Sequence, residues 1–156
     1  MIKHRIFKTA SRLVLQPWFR QTRGMTLGTR TAVFDGQGRV LLVQHSYAPG
    51  WLLPGGGVER GETIYQSAAR EIRDEACVIA EEQPELKGIC LNDVQFPGDH
   101  IAVLVLRKFS QRPFKPTLEI ARAEFFHTHD LPVGTSDGTR RRLAEISARA
   151  AISPMW

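Results

Sequence analysis

Between Gly56 and Val78 the chain reads Gly56-x5-Glu62-x7-Arg70-Glu71-Ile72-x-Asp74-Glu75-x-Cys77-Val78, a glycine-rich turn that feeds an acid-bearing helix. With Glu71 as reference on a 3.6-residue period, Glu75 lies one turn on and Asp74 beside it, so three carboxylates share one face. An acidic run is often no more than a solvated surface. Here Tyr65, Ala69, Ile72 and Ala76 recur at helical spacing on the opposite side, which predicts that this side is buried and the acids face solvent. Thr63-x-x-Gln66 is a capping-box pattern that starts the helix directly after Glu62. Upstream, Leu53-Pro54-Gly55-Gly56-Gly57 ends an apolar run in a stretch where backbone can approach a ligand closely, because there is no Cβ. Carboxylate oxygens beside an exposed carbonyl are hard ligands, suited to Mg2+ or Mn2+ rather than zinc, and Mg2+ held in this way shares its remaining positions with water and substrate phosphates. Phosphate chemistry is the reaction class such an arrangement serves.

This stretch resembles the Nudix box, Gly-x5-Glu-x7-Arg-Glu-apolar-x-Glu-Glu-x-Gly-apolar, with two departures: Asp74 stands where the family has Glu, and Cys77 where it has Gly. Asp keeps the carboxylate but loses a methylene of reach. A glycine just past a helix commonly adopts a left-handed conformation that a residue with a Cβ takes only with strain, so an altered helix exit is expected at Cys77.

The rest of the chain fits one α/β (α+β) domain. Its 156 residues suffice for a single core, and 42% hydrophobic with 24% charged residues is an ordinary balance for a soluble protein. No apolar run is long enough to cross a bilayer, and the two cysteines, Cys77 and Cys90, are read as reduced thiols of a cytoplasmic protein. Thr31–Phe34 and Val40–Val43 flank Asp35-Gly36-Gln37-Gly38 and predict a β-hairpin. Gly88–Leu91 and Ile101–Leu106 read as strands, the second apolar enough to be buried on both faces, and Phe125-Phe126 closes another. From Thr139, Leu143, Ile146 and Ala150 recur at helical spacing. The family resemblance, which spans roughly residues 27 to 150, implies an α/β/α sandwich with a curved mixed sheet and the box as a loop-helix-loop. It sets the domain at residues 27–156, behind a segment of residues 1–26.

The same resemblance implies a pyrophosphohydrolase that cleaves a nucleoside diphosphate linked to another moiety, using Mg2+ or Mn2+. Glu75 would be the firmest metal ligand, with Glu71, Asp74, the Gly55 carbonyl and Glu119 completing the set. Arg70 would pair with Glu62 and clamp the loop to the helix. Glu71 is a candidate general base, with Asp93, Asp99 and Glu119 as loop acids that take that part in some relatives. Arg39, His45 and Trp51 are assigned to the substrate; His45, Tyr47 and Trp51 precede the glycine turn, where a base could stack, although Trp51 is equally well read as a core anchor. No residue downstream of the box marks a particular leaving group.

Before Asp35 there is no acid, while Lys3, Arg5, Lys8, Arg12, Arg20, Arg23 and Arg30 contribute to a net charge of +5. Ile2, Phe7, Leu13, Leu15, Trp18 and Phe19 interleave with them as in a basic amphipathic helix. Packing on the domain or on a second copy in a homodimer is the preferred reading; contact with nucleic acid or an anionic membrane is the other. A non-catalytic nucleotide- or RNA-binding module is the alternative to an enzyme, and it is disfavoured because an acidic cluster without metal repels phosphate.

Overall fold

A computed structural model of the chain describes residues 24–156. The basic amphipathic segment expected near the N-terminus therefore lies outside the described residues, apart from its last few positions. Strand β1 (Thr26–Val33) is followed by β2 (Val40–His45), helix α1 (Ile64–Ala76), β3 (Val78–Ala80), β4 (Glu85–Leu91), β5 (Asp99–Leu106), β6 (Phe109–Gln111), β7 (Ile120–Phe126) and helix α2 (Asp137–Ser147). β5 runs parallel to β1 and antiparallel to β4, β2 pairs antiparallel with β7, and β3 pairs with β6.

Side chains alternate along these strands and sort the core into two layers. Ala32, Val40, Leu42, Val103 and Val105 point to the side covered by Leu143 and Ile146 of α2. Val33, Leu41, Val43 and Leu106 point to the side covered by Ile72 and Ala76 of α1. The run Ile101–Leu106 is buried at every position, as its unbroken apolar sequence requires of a strand covered on both faces. No helix among the described residues is long and apolar enough to cross a membrane.

The hairpin expectation needs correction. The chain does reverse at Asp35–Arg39, where the Asp35 carboxylate accepts from the amides of Gln37 and Arg39, and Phe34 bridges Val40. Beyond that bridge the strands part, β1 to β5 and β2 to β7, and each pairs with its new neighbour over its whole length. Helix α2 begins at its cap Ser136, earlier than expected, and ends before Ala150, which is exposed. Arg142 of α2 is fully buried and donates to the Met155 carbonyl and to Glu145 at 2.9 Å each, which ties the C-terminal residues to the domain.

Helix α1 starts as the sequence predicts: Thr63 Oγ1 accepts from the Gln66 amide at 3.2 Å, and Gln66 Oε1 from the Thr63 amide at 2.9 Å. It stops at Cys77, which sits at φ 57, ψ 26, the left-handed region. A Cβ there costs about 1–2 kcal/mol, partly offset by the larger entropy glycine loses on folding. Cys77→Gly is therefore expected to stabilise the protein by about 1 kcal/mol, read as a shift in denaturant midpoint without loss of activity. A destabilised variant would contradict the strain.

Candidate active site

The glycine loop lies along β1. The amides of Thr31 and Thr29 donate to the Pro54 and Gly56 carbonyls at 2.9 and 2.8 Å, so the loop follows β1 almost as a further strand. Gly55, at φ +149, is where the two backbones are closest, and a Cβ on it would overlap the Thr29 carbonyl oxygen. Its amide consequently points away from β1 and donates to Glu75 Oε2 of α1 at 2.8 Å. Its carbonyl accepts from Arg30 Nη1 at 2.6 Å, and the same nitrogen also donates to the Leu53 carbonyl at 3.1 Å.

The three acids do not share one solvent face as the helical wheel suggested. The buried side of α1 comprises Ser67, Ala68, Ile72, Glu75 and Ala76, so Glu75 itself turns inward and is only 5% exposed. Tyr65 and Ala69 are half-buried instead. The wheel gave the right angular separations and the wrong origin, because it could not show that Gly55 would offer an amide to one carboxylate on the inner side. Burial pushes the Glu75 carboxyl up to about 7, against the opposing pull of the Gly55 amide and Arg30. Arg30 is itself pushed down by burial and held charged by Glu75 and Glu71.

Arg70 holds the loop to the helix. It donates to both Glu62 oxygens at 2.9 Å, to the Gly57 carbonyl at 3.0 Å and to Glu71 Oε1 at 2.6 Å. These bonds hold the Glu62 carboxyl at about 2, well below its ordinary value. A carboxyl depressed in the folded state stabilises above its unfolded value of about 4.5, and that contribution is lost as pH falls toward 2. Glu62→Gln should therefore flatten the acid limb of stability against pH between those values, measured by denaturant midpoint. An unchanged acid limb would mean that the pair contributes nothing.

Other expected site residues separate into those brought together and those left apart. His45, at the end of β2, lies with Nε2 3.8 Å from Glu75 Oε1. Glu119, just before β7, brings its carboxylate to the same place: one ligand atom each from His45, Glu75 and Glu119 lie within 4.8 Å of one another. Tyr47 is exposed, its ring 5.0 Å from that of His45. Asp74 does not join this group; it is exposed and paired with Arg73 at 2.8 Å, since its place on α1 turns it out of the loop's reach. Trp51 is not available for stacking a base, being buried against Phe126 at 4.9 Å in the core. Arg39 is bound to Asp35 at 2.7 Å in the turn before β2. At about 3.3 Å per residue that is some 20 Å along the strand from His45. Asp93 accepts from the Gly98 amide, and Asp99 from Thr26 and Asn92.

A cleft of about 730 Å3 is lined among others by Gly28, Arg30, Gly56, Asn92, Asp99 and Trp156, and so meets the site at Arg30 and the glycine loop. Arg30 is the site residue that sequence reasoning missed. It was counted among the N-terminal basic residues, whereas a charged residue between the buried Thr29 and Thr31 of β1 is the signal that would have singled it out.

A fold of this kind, with a glycine loop, an acid-bearing helix and an arginine clamp between them, can be set against known proteins. The NUDIX domain model matches residues 25–148, and the chain belongs to the Nudix hydrolase family. It is 36% identical over 69 residues to the uncharacterized Nudix hydrolase YvcI of Bacillus subtilis (strain 168), a match covering 44% of this chain and 42% of that protein. Among solved structures it is similar to a MutT NUDIX hydrolase from Burkholderia pseudomallei, with TM-score 0.66, 26% identity, and 78% of this chain and 97% of that chain covered. It is also similar to an ADP-ribose pyrophosphatase from Streptococcus suis, with TM-score 0.59, 25% identity, and 81% and 94% covered.

Proposed function

We propose that this chain is a divalent-metal-dependent pyrophosphohydrolase acting on a nucleoside diphosphate linked to another moiety, with Mg2+ or Mn2+ as the ion. The observation that carries this reading is Glu75. A carboxylate this buried, oriented by the Gly55 amide and pushed up to about 7, is costly to keep ionised unless a cation meets it. Glu71, Glu75 and Glu119 would hold the ion. The Gly55 carbonyl, which has a second lone pair beyond the one Arg30 uses, would be a further ligand. A bound divalent ion supplies neutralisation of phosphate charge and a more acidic bound water. Glu71 is the candidate base, with Arg70 fixing one of its oxygens. Glu62 and Arg70 are positioning residues that keep loop and helix in register. Arg30, on the cleft wall beside these acids, offers a cation to an anionic substrate. The similarity to an ADP-ribose pyrophosphatase supports the substrate class without choosing its leaving group.

The test is incubation with a panel of nucleoside diphosphate derivatives in Mg2+, in Mn2+ and in EDTA, with both products identified. The expected result is a nucleoside monophosphate and the phosphorylated second moiety, formed only with metal. Recovery of intact nucleotide bound to the protein under all conditions would instead support a binding module.

A further inference from the structure

We propose that His45 is a metal ligand, and that with Glu75 and Glu119 it forms a mixed nitrogen and oxygen site that selects imidazole-binding ions such as Co2+ and Zn2+ over Mg2+. The inference rests on the reading of Glu75 as a ligand and extends it to a residue first assigned to the substrate. Position along β2 carries the first part of the argument. His45 is in phase with Leu41 and Val43, whose side chains enter the layer covered by α1, so its ring is directed to the side from which Glu75 projects. The pairing of β2 with β7 breaks register between Gln44 and His45, which sets His45 opposite Ile120. Such a break re-aims a side chain at a sheet edge. The Glu119 carbonyl is pinned beside it, accepting from the Ser46 amide at 2.8 Å and from its hydroxyl at 3.2 Å. Glu119 thereby reaches the same point from the opposite strand.

The second part concerns what the imidazole lacks. The His45 side chain is only 9% exposed, and its buried Nδ1 has no hydrogen-bond partner among the described residues. Its Nε2 is 3.8 Å from Glu75 Oε1, too far for a hydrogen bond. Two ligand atoms at about 2.1 Å from one ion lie roughly 3.0–3.4 Å apart in octahedral or tetrahedral geometry, so the pair has to close by less than about 1 Å to share one. Imidazole suits the later first-row ions and has little affinity for Mg2+, so its presence in the site changes which ion is held most tightly.

Pulsed EPR of the full chain loaded with Mn2+ reads this directly, through nitrogen modulation from a coordinated imidazole. The wild type is expected to show that modulation, and His45→Gln to lose it while still binding Mn2+ about 10-fold or more weakly. The same variant should narrow the preference for Co2+ over Mg2+ in competition binding. Mn2+ bound to the wild type without nitrogen modulation overturns the proposal whether or not the variant folds, and so does modulation that persists in His45→Gln. Either result leaves the role of Glu75 intact. If Glu75→Gln keeps both Mn2+ affinity and modulation, the shared reading of Glu75 falls as well.

Discussion

Glu75→Gln is expected to lower kcat by at least about 10²-fold, equivalent to roughly 3 kcal/mol of transition-state stabilisation, while making the metal-free protein more stable at neutral pH. Both effects come from one arrangement. The amide oxygen of Gln can still accept from the Gly55 amide, so the loop should keep its path. What disappears is a buried negative charge. A carboxyl raised to about 7 from an ordinary value of 4.5 costs stability as it ionises in the folded protein. The cost is absent below about 4.5, grows as pH rises and is complete above about 7. At about 1.4 kcal/mol per unit, the relief in EDTA at pH 8 should be about 1–3 kcal/mol. It should vanish near pH 4.5. Kinetics at saturating Mg2+ and denaturant midpoints in EDTA separate the two effects. Near wild-type turnover would remove Glu75 from the metal site.

The largest loss of stability is expected at Gly55→Ala. The new methyl group would overlap the Thr29 carbonyl oxygen, a backbone atom of β1 held in the parallel pairing with β5 that cannot rotate aside. The backbone at φ +149 is strained for any residue with a side chain. Overpacking costs about 1–3 kcal/mol and the unfavourable dihedral about 1–2, so a loss of about 2–5 kcal/mol is expected. For a chain of this size that lowers Tm by about 10 °C. The Glu75 anchor should go with it, since the Gly55 amide can hold its direction only while the loop lies against β1. A variant with unchanged Tm would mean that loop and strand are not locked together.

Local chemistry was the most legible part of the chain. The capping box at Thr63 and Gln66, the clamp between Arg70 and Glu62, the fully buried run Ile101–Leu106 and the left-handed residue at Cys77 all depend on neighbours close in sequence or on simple periodicity. Features that depend on distant pairing were not legible. The parallel match of β1 with β5 joins strands far apart in the chain, and no turn signal between Phe34 and Val40 reports it. The helical wheel put Asp74 beside Glu75 without showing which of them the glycine loop would meet. His45 and Glu119 converge only because β2 and β7 are neighbours with a register break between them. Trp51 and Arg39, expected at the substrate, have other partners: one fills the core beside Phe126, and the other is held by Asp35 at the far end of β2.

In the proposed reaction, water activated at the Glu75 cluster breaks a phosphoric anhydride. Hydrolysis of a nucleoside diphosphate derivative in 18O-labelled water, followed by mass spectrometry of both products, tests this most directly. One labelled oxygen is expected in one of the two phosphate products for each substrate cleaved in Mg2+ or Mn2+, with no label and no products in EDTA. Unlabelled products, or cleavage that continues at the same rate in EDTA, would contradict it.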